Sequence, residues 1–228
     1  MSEKLNIVFL PCRKGSQRVP NKNTRSFAGI EGGLLRIKLA QLLESKNIDK
    51  IYLSSDDDIV LEIGASMNDK RIIIDRRPDF LCQSSTSTDD LINYVPELIK
   101  DDATILWTHV TSPFLNSKTY DKMLEKYYTL LSEYDSLMAV NKLQTFIWDK
   151  KGSINYDRKN EKWPRTQTLE SLYEVNSGAF IADRNVYIKK LDRIGSNPYL
   201  YVLSKMESFD IDWEDDFKMA ECLYLLRK

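Results

Sequence analysis

The sequence is poor in the residues that usually announce a catalytic or metal centre: one histidine, three cysteines and eight glycines among 228 residues. No serine, cysteine or histidine falls at a spacing that suggests a nucleophile triad, so covalent catalysis has no candidate. Cys12, Cys82 and Cys222 are odd in number, widely spaced and without a metal-type pair. That pattern argues against a disulfide framework and suits a reducing compartment. Neither P-loop nor GxGxxG spacing occurs, which removes support for an ATPase of the P-loop type or a dinucleotide-binding protein. The first mainly apolar run, Leu5 to Leu10 with Asn6 inside it, is too short for a secretory h-region or a membrane span. The expectation is a cytoplasmic protein with no membrane partner. A strong field of one sign is missing too. With a net charge of −1 and a pI near 6.0, no nucleic acid partner is expected, and any anion site has to be assembled locally.

What is there is an ordinary globular balance, 42% hydrophobic and 29% charged, in a chain long enough for one full core. Leu5 to Leu10 reads as a strand buried on both faces. A loop follows, and Leu35, Leu39, Leu42 and Leu43 then mark one face of a helix. The unit recurs. Ile51 to Leu53, Ile72 to Ile74, Ala103 to Val110 and Ser136 to Val140 read as strands. Between them lie helices carrying Val60, Ile63 and Met67; Leu91, Ile92, Val95 and Leu98; and Tyr120, Met123, Leu124 and Tyr127. Thr88 and Asn116 are the expected caps of the last two, and Pro96 predicts a kink or a shorter helix. Such alternation predicts a doubly wound, mainly parallel α/β sheet in a single domain spanning 1–228. From Lys142 to Asn176 the rhythm breaks, which predicts a small inserted lobe. Strand character returns at Ala179 to Ala182 and Tyr199 to Leu203, before a last helix with Phe217, Ala220 and Tyr224.

In sheets of this kind ligands bind beyond the carboxyl ends of the strands. The loop PCRKGSQRVPNKN, Pro11 to Asn23, lies there and gathers Arg13, Lys14, Arg18 and Lys22 around Gly15 and Ser16. Backbone N–H groups beside a glycine, with fixed cations, neutralise a triphosphate so that a nucleophile can approach phosphorus. The plainer reading is a solvated basic loop. Cys12 beside it reads as a small buried residue. In ESFDIDWEDDF, Asp210 and Asp212 stand two apart in an extended segment, so both carboxylates share one face and can hold Mg2+. The same pattern also describes an acidic approach to a helix whose dipole Glu214, Asp215 and Asp216 serve. RRPDFLCQSSTSTDD sets Arg76 and Arg77 before five hydroxyl residues, Ser84 to Thr88, which suit a base and ribose or equally a helix cap. His109, after the fourth strand, receives no acid–base role, because a hydrogen-bonded structural imidazole is the commoner outcome. Asn176 and Gly178 form either a turn or an amide that reads a ligand hydroxyl.

In order along the chain, PCRKGSQRVPNKN, SSDDD, RRPDFLCQSSTS, TSPF, NSGAF and FDIDWEDDF resemble the acylneuraminate cytidylyltransferases, or CMP-sialic acid synthetases. The likeness spans the chain, and six marks in sequence are specific where each alone is weak. It implies a Rossmann-like sheet of the nucleotide-diphospho-sugar transferase type with a small inserted dimerisation segment. It also implies a reaction in which the anomeric hydroxyl of an acidic 2-keto sugar attacks the α-phosphate of CTP. By motif position, Arg13, Gly15, Ser16, Lys22, Asn23, Arg77, Ser84 and Ser85 would bind the nucleotide, and His109 and Asn176 the sugar. Asp210 and Asp212 would bind Mg2+, with Arg13, Lys22 and Asp212 acting in the reaction. A homodimer is implied as well. Three positions depart from the pattern: Gln17 replaces the usual lysine, His109 stands where many members have glutamine, and Glu174 where some carry a basic residue. An eight-carbon keto-deoxy acid as acceptor, or CTP binding without turnover, are the alternatives those departures leave.

Overall fold

The computed structural model describes residues 4–16, 18–83 and 85–227. The first strand, β1 (Leu5–Cys12), sends Ile7 and Phe9 into one core and Val8, Leu10 and Cys12 into the other. A strand covered on both faces needs apolar side chains at both parities, and this one has them. In chain order α1 (Gly33–Leu43), β2 (Lys50–Ser55), α2 (Asp58–Ser66), β3 (Ile72–Arg76), α3 (Thr88–Leu98) and β4 (Ala103–Trp107) follow. Next come α4 (Ser117–Thr129), β5 (Ser136–Leu143), the short β6 (Trp148–Asp149) and β7 (Gly152–Ser153), and β8 (Leu172–Asp183). The chain closes with α5 (Arg184–Lys190), β9 (Pro198–Val202) and α6 (Glu214–Leu225).

Seven strands form one sheet in the order β3-β2-β1-β4-β8-β5-β9. Every neighbouring pair is parallel except the two that β8 makes, with β4 and β5. Helices α1, α2, α4 and α6 pack on one face, and α3 and α5 on the other. The doubly wound, mainly parallel sheet read from the sequence is therefore the fold, with one reversed strand that periodicity did not reveal.

Three local expectations are corrected. Thr88 is not the cap of α3: Ser87 Oγ accepts from Asp90 N at 3.1 Å while the Asp90 carboxylate accepts from Ser87 N at 2.8 Å, a reciprocal capping box. Pro96 does not shorten that helix, because it falls in the last turn, where the Arg184 guanidinium binds the carbonyls of Pro96 (2.7 Å) and Ile99 (2.6 Å). Strand β4 stops at Trp107, which frees Thr108 to Val110 to enter the ligand-edge loop.

Strand β8 begins well before Ala179, so the irregular lobe contracts to 144–171. Asn155 ties its ends together, its amide donating to the carbonyls of Thr145 and Glu170 and accepting from Ile147 N. Near its middle β8 bulges: Met138 pairs with Phe180 but Val140 with Val175, which leaves Asn176 to Ala179 opposite Ala139. Since β8 is reversed, the bulge lies just past Trp107, the register partner of Phe180, at the carboxyl edge of β4.

Candidate functional site

A cleft of about 400 Å³ opens at this edge. Arg13, Ser16 and Asn23 line it from the loop after β1, and Arg77 from the end of β3. Thr86, Ser87 and Thr88 come from the start of α3, Trp107, His109 and Thr111 from β4 and its loop, Ser177 from the bulge, and Arg193 from the α5–β9 connection. The β1 loop is fixed to its neighbours. Lys14 N donates to Asp56 (2.8 Å), an Arg13 guanidinium nitrogen to Gln83 O (3.4 Å), and Asn23 Nδ2 to Arg13 O (3.4 Å). Gly15 has φ +74°, a left-handed turn that glycine adopts without cost. Arg77 is buried, and Ser54 holds it through Oγ (3.1 Å) and its carbonyl (2.8 Å). Cys12 is buried beneath, and burial pushes its thiol up to about 12, so it is no nucleophile.

The aspartate pair sits beside this cleft. Ile211, between the two aspartates, donates its N–H to Thr111 O (3.0 Å) and accepts Lys22 Nζ on its carbonyl (2.6 Å). Buried Ile211 turns inward, Asp210 is half-buried and Asp212 is exposed. Burial raises the Asp210 pKa and adjacent Asp212 adds to this, against a hydrogen bond from Thr111. Burial likewise lowers the Lys22 pKa, with Asp212 and Asp210 opposing. Arg18 pairs with Asp212 at 3.0 Å, both side chains more than half exposed. An exposed pair of that kind contributes about 0.2–1 kcal/mol at most, so it yields readily to a stronger anion or cation.

Several expected residues fall elsewhere. Ser84 and Gln17 lie outside the described residues. Ser85 is exposed, bonded to Gln83, and does not line the cleft; Thr86 to Thr88 do. Asn176 is buried and fully engaged: Nδ2 donates to Asn141 Oδ1 (3.1 Å) and Ser208 O (2.9 Å), and Oδ1 accepts from Gly178 N (2.8 Å). It shapes the bulge, and its neighbour Ser177 takes the place at the cleft. Glu174 is exposed, bonded to Asn141 (2.9 Å), and is not among the cleft residues. His109 does reach the cleft. Its Nε2 accepts from Trp107 Nε1 (3.0 Å), and burial, with Arg193, Lys22, Lys38 and Arg77 around it, holds its pKa down to about 3. The ring is neutral, and with Nε2 accepting, its proton is assigned to Nδ1.

Sequence reasoning passed over Lys38 and Arg193. Lys38, on α1, is fully buried, and its Nζ donates to Ser112 O (2.8 Å), Leu115 O (3.3 Å) and Tyr120 OH (2.7 Å). Tyr120 OH meets Thr108 Oγ1 (2.8 Å), which donates to Gly178 O (2.7 Å). The chain runs from a buried amine to the bulge and fixes both walls of the ligand-edge loop. At Gly178 a Cβ would strike Leu115 Cδ1 and lie 2.8 Å from Asn176 Oδ1, so a larger residue would have to displace both side chains for the bulge to close on that loop.

The family model described as cytidylyltransferase matches residues 7–227. The chain belongs to the cytidylyltransferase family. Within it, the chain is 27% identical over 219 residues to the N-acylneuraminate cytidylyltransferase of Streptococcus agalactiae serotype III, covering 92% of this chain and 51% of that protein. The chain thus spans about half the length of that relative. It is 24% identical over 230 residues to a pseudaminic acid cytidylyltransferase of Campylobacter jejuni, covering 96% of each. Among solved structures, CMP:2-keto-3-deoxy-manno-octonic acid synthetase complexed with CTP superposes with a TM-score of 0.71 over 99% of this chain and 100% of that one, at 12% identity. That last likeness is one of fold. No helix among the described residues of this cytidylyltransferase-family chain is long and apolar enough to cross a membrane.

Proposed function

We propose that the chain transfers CMP from CTP to the anomeric hydroxyl of an acidic 2-keto sugar of the nonulosonic class. The hydroxyl oxygen bonds to the α-phosphorus and releases its proton to solvent, the α–β phosphoanhydride P–O bond breaks, and pyrophosphate leaves with the electron pair. Lys22 and Thr111 both bonding Ile211 is the observation that carries this reading, because it seats Asp210 and Asp212 beside the cation-lined cleft. Family membership and the relatives' names over most of the chain support it.

Arg13 and Lys22 take the triphosphate, Asn23 holds the loop closed on it, and Arg77 with Thr86 to Thr88 receives the nucleoside. Asp210 and Asp212 are the residues that would hold Mg2+: two carboxylates suit a hard cation, and they lie next to the phosphate-binding lysine. No larger group of histidine, cysteine and acidic residues gathers at one point among the described residues, so phosphate oxygens and water would complete the shell. A cation held there would neutralise charge on the phosphates. The three free cysteines suit a cytoplasmic setting. The lobe 144–171 is the proposed homodimer contact, since Trp148 and Trp163 are 49% and 63% exposed with the Arg158 guanidinium over both rings.

Pyrophosphate release from CTP and Mg2+ with a panel of keto acids tests the proposal. Turnover is expected with at least one nine-carbon acid. Release with an eight-carbon keto-deoxy acid alone would move the acceptor class, and tight CTP binding without release from any acid would overturn the reaction.

A further inference from the structure

Among the described residues, one charged side chain of the cleft has neither a side-chain hydrogen bond nor an ion pair. Arg193 is half-buried, and its guanidinium lies 3.7 Å from the Phe180 ring centre and 5.1 Å from that of Trp107. The groups that face it are Tyr187, Asp192 and Asp89, and their favourable influence does not offset burial. A desolvated guanidinium left unpaired is costly, and two aromatic faces repay only part of that cost. Such a group is poised for an anion that arrives from outside.

The backbone beneath it is held before any ligand binds. Asp192 accepts from Arg193 N (2.7 Å), Gly195 N donates to Ser136 Oγ (2.8 Å), and the Asp135 carboxylate accepts from Ser196 N (2.6 Å) and Asn197 N (3.0 Å). A Cβ at Gly195 would overlap that carboxylate, so glycine is what lets the loop close on Asp135. Beside the guanidinium, His109 is fixed by Trp107 as a neutral ring with a donor Nδ1–H. Arg193 and His109 thus supply donors on one side of the cleft, over an apolar floor of Trp107 and Phe180.

The charges of the two substrates decide which anion this is. In the reaction given above the triphosphate of CTP is met by Arg13 and Lys22 on the β1 loop, and cytidine is neutral. The one remaining anionic group is the carboxylate of the keto acid. We propose that Arg193, seated on Trp107 and Phe180 and assisted by His109, is the receptor for that carboxylate and so selects acidic over neutral sugars. The proposal rests on the reaction given above. A guanidinium offers a carboxylate two parallel N–H donors, which lysine cannot reproduce.

The test is Arg193→Gln, with Arg193→Lys as the charge-retaining companion. Unchanged CTP affinity by calorimetry shows that the fold and the nucleotide half are intact. Ligand-observed NMR of N-acetylneuraminate with CTP present is expected to show affinity reduced by about 10-fold or more in Arg193→Gln and less in Arg193→Lys. In turnover the loss falls on KM for the acid and not on KM for CTP. The wild type should discriminate against the methyl ester of the acid, and Arg193→Gln should not. Unchanged sugar affinity, or a loss confined to CTP, would overturn the assignment. Should the wild type bind the acid yet release no pyrophosphate, the reaction fails while the NMR comparison still decides Arg193. Should it bind none of the acids, both are lost.

Discussion

The loop from Pro11 to Asn23 and the segment from Thr108 to Leu115 both lie at the carboxyl edge of the sheet, yet they carry charge differently. In the first, Arg13, Lys14 and Arg18 are exposed, and the one ion pair there among the described residues, Arg18 with Asp212, is solvated and weak. In the second, the charge is Lys38, fully buried and spent on three oxygens of the loop and its supporting tyrosine. The outer charges are free to be exchanged for a ligand's, whereas the inner one is committed to geometry. Substitutions in the outer layer should therefore change turnover with little effect on stability, and those in the inner layer should do the reverse.

The largest effect is expected in the outer layer. Asp212→Ala or Asp210→Ala should lower pyrophosphate release by roughly 100-fold or more, while the denaturation midpoint barely moves. A loss under about 10-fold would mean that the aspartates are not at the reacting phosphate. Next comes the inner layer. Lys38→Met leaves the Ser112 and Leu115 carbonyls without their donor and should cost about 2–4 kcal/mol in urea denaturation.

Lys38 also predicts a dependence on pH. Burial pushes its pKa down from 10.5 to about 7, so between those values the unfolded chain binds more protons than the native one. This cost is complete below the lower value and fades as pH rises toward the higher. Wild-type stability should accordingly gain between neutral pH and about 9.5, by an increment that Lys38→Met lacks. An equal gain in both proteins would remove Lys38 as the cause.

Smaller effects sharpen the contrast. Ser87→Ala should cost about 1 kcal/mol through loss of the α3 cap, and Thr88→Ala distinctly less. Arg18→Ala should stay within about 0.5 kcal/mol by thermal melting, since its pair is solvent-screened. A larger loss there would show the outer layer to be structural after all.

The difference between layers also explains what the sequence made legible. Arg13, Lys22 and the two aspartates stand out by residue type and by the motifs that carry the family resemblance, and the run Leu5 to Leu10, apolar but for Asn6, reads as a covered strand. Lys38 sits on α1 among leucines, where a lysine reads as a solvated position; its burial depends on the Ser112 to Leu115 loop folding over it from far along the chain. Arg193 lies in a turn-like stretch, and its significance comes from Trp107 and Phe180, on two other strands. The direction of β8 leaves no trace in alternation. For the same reason the sugar-facing residue was expected at Asn176, whereas the bulge turns that amide inward and brings Ser177 to the cleft.

A structure of the protein with CTP and Mg2+ tests the central claim most directly. The account predicts the triphosphate bonded to Arg13 and Lys22, the metal on Asp210 and Asp212, and the nucleoside against Arg77 and Thr86 to Thr88. A triphosphate seated away from the β1 loop, or a metal bound without either aspartate, would contradict it.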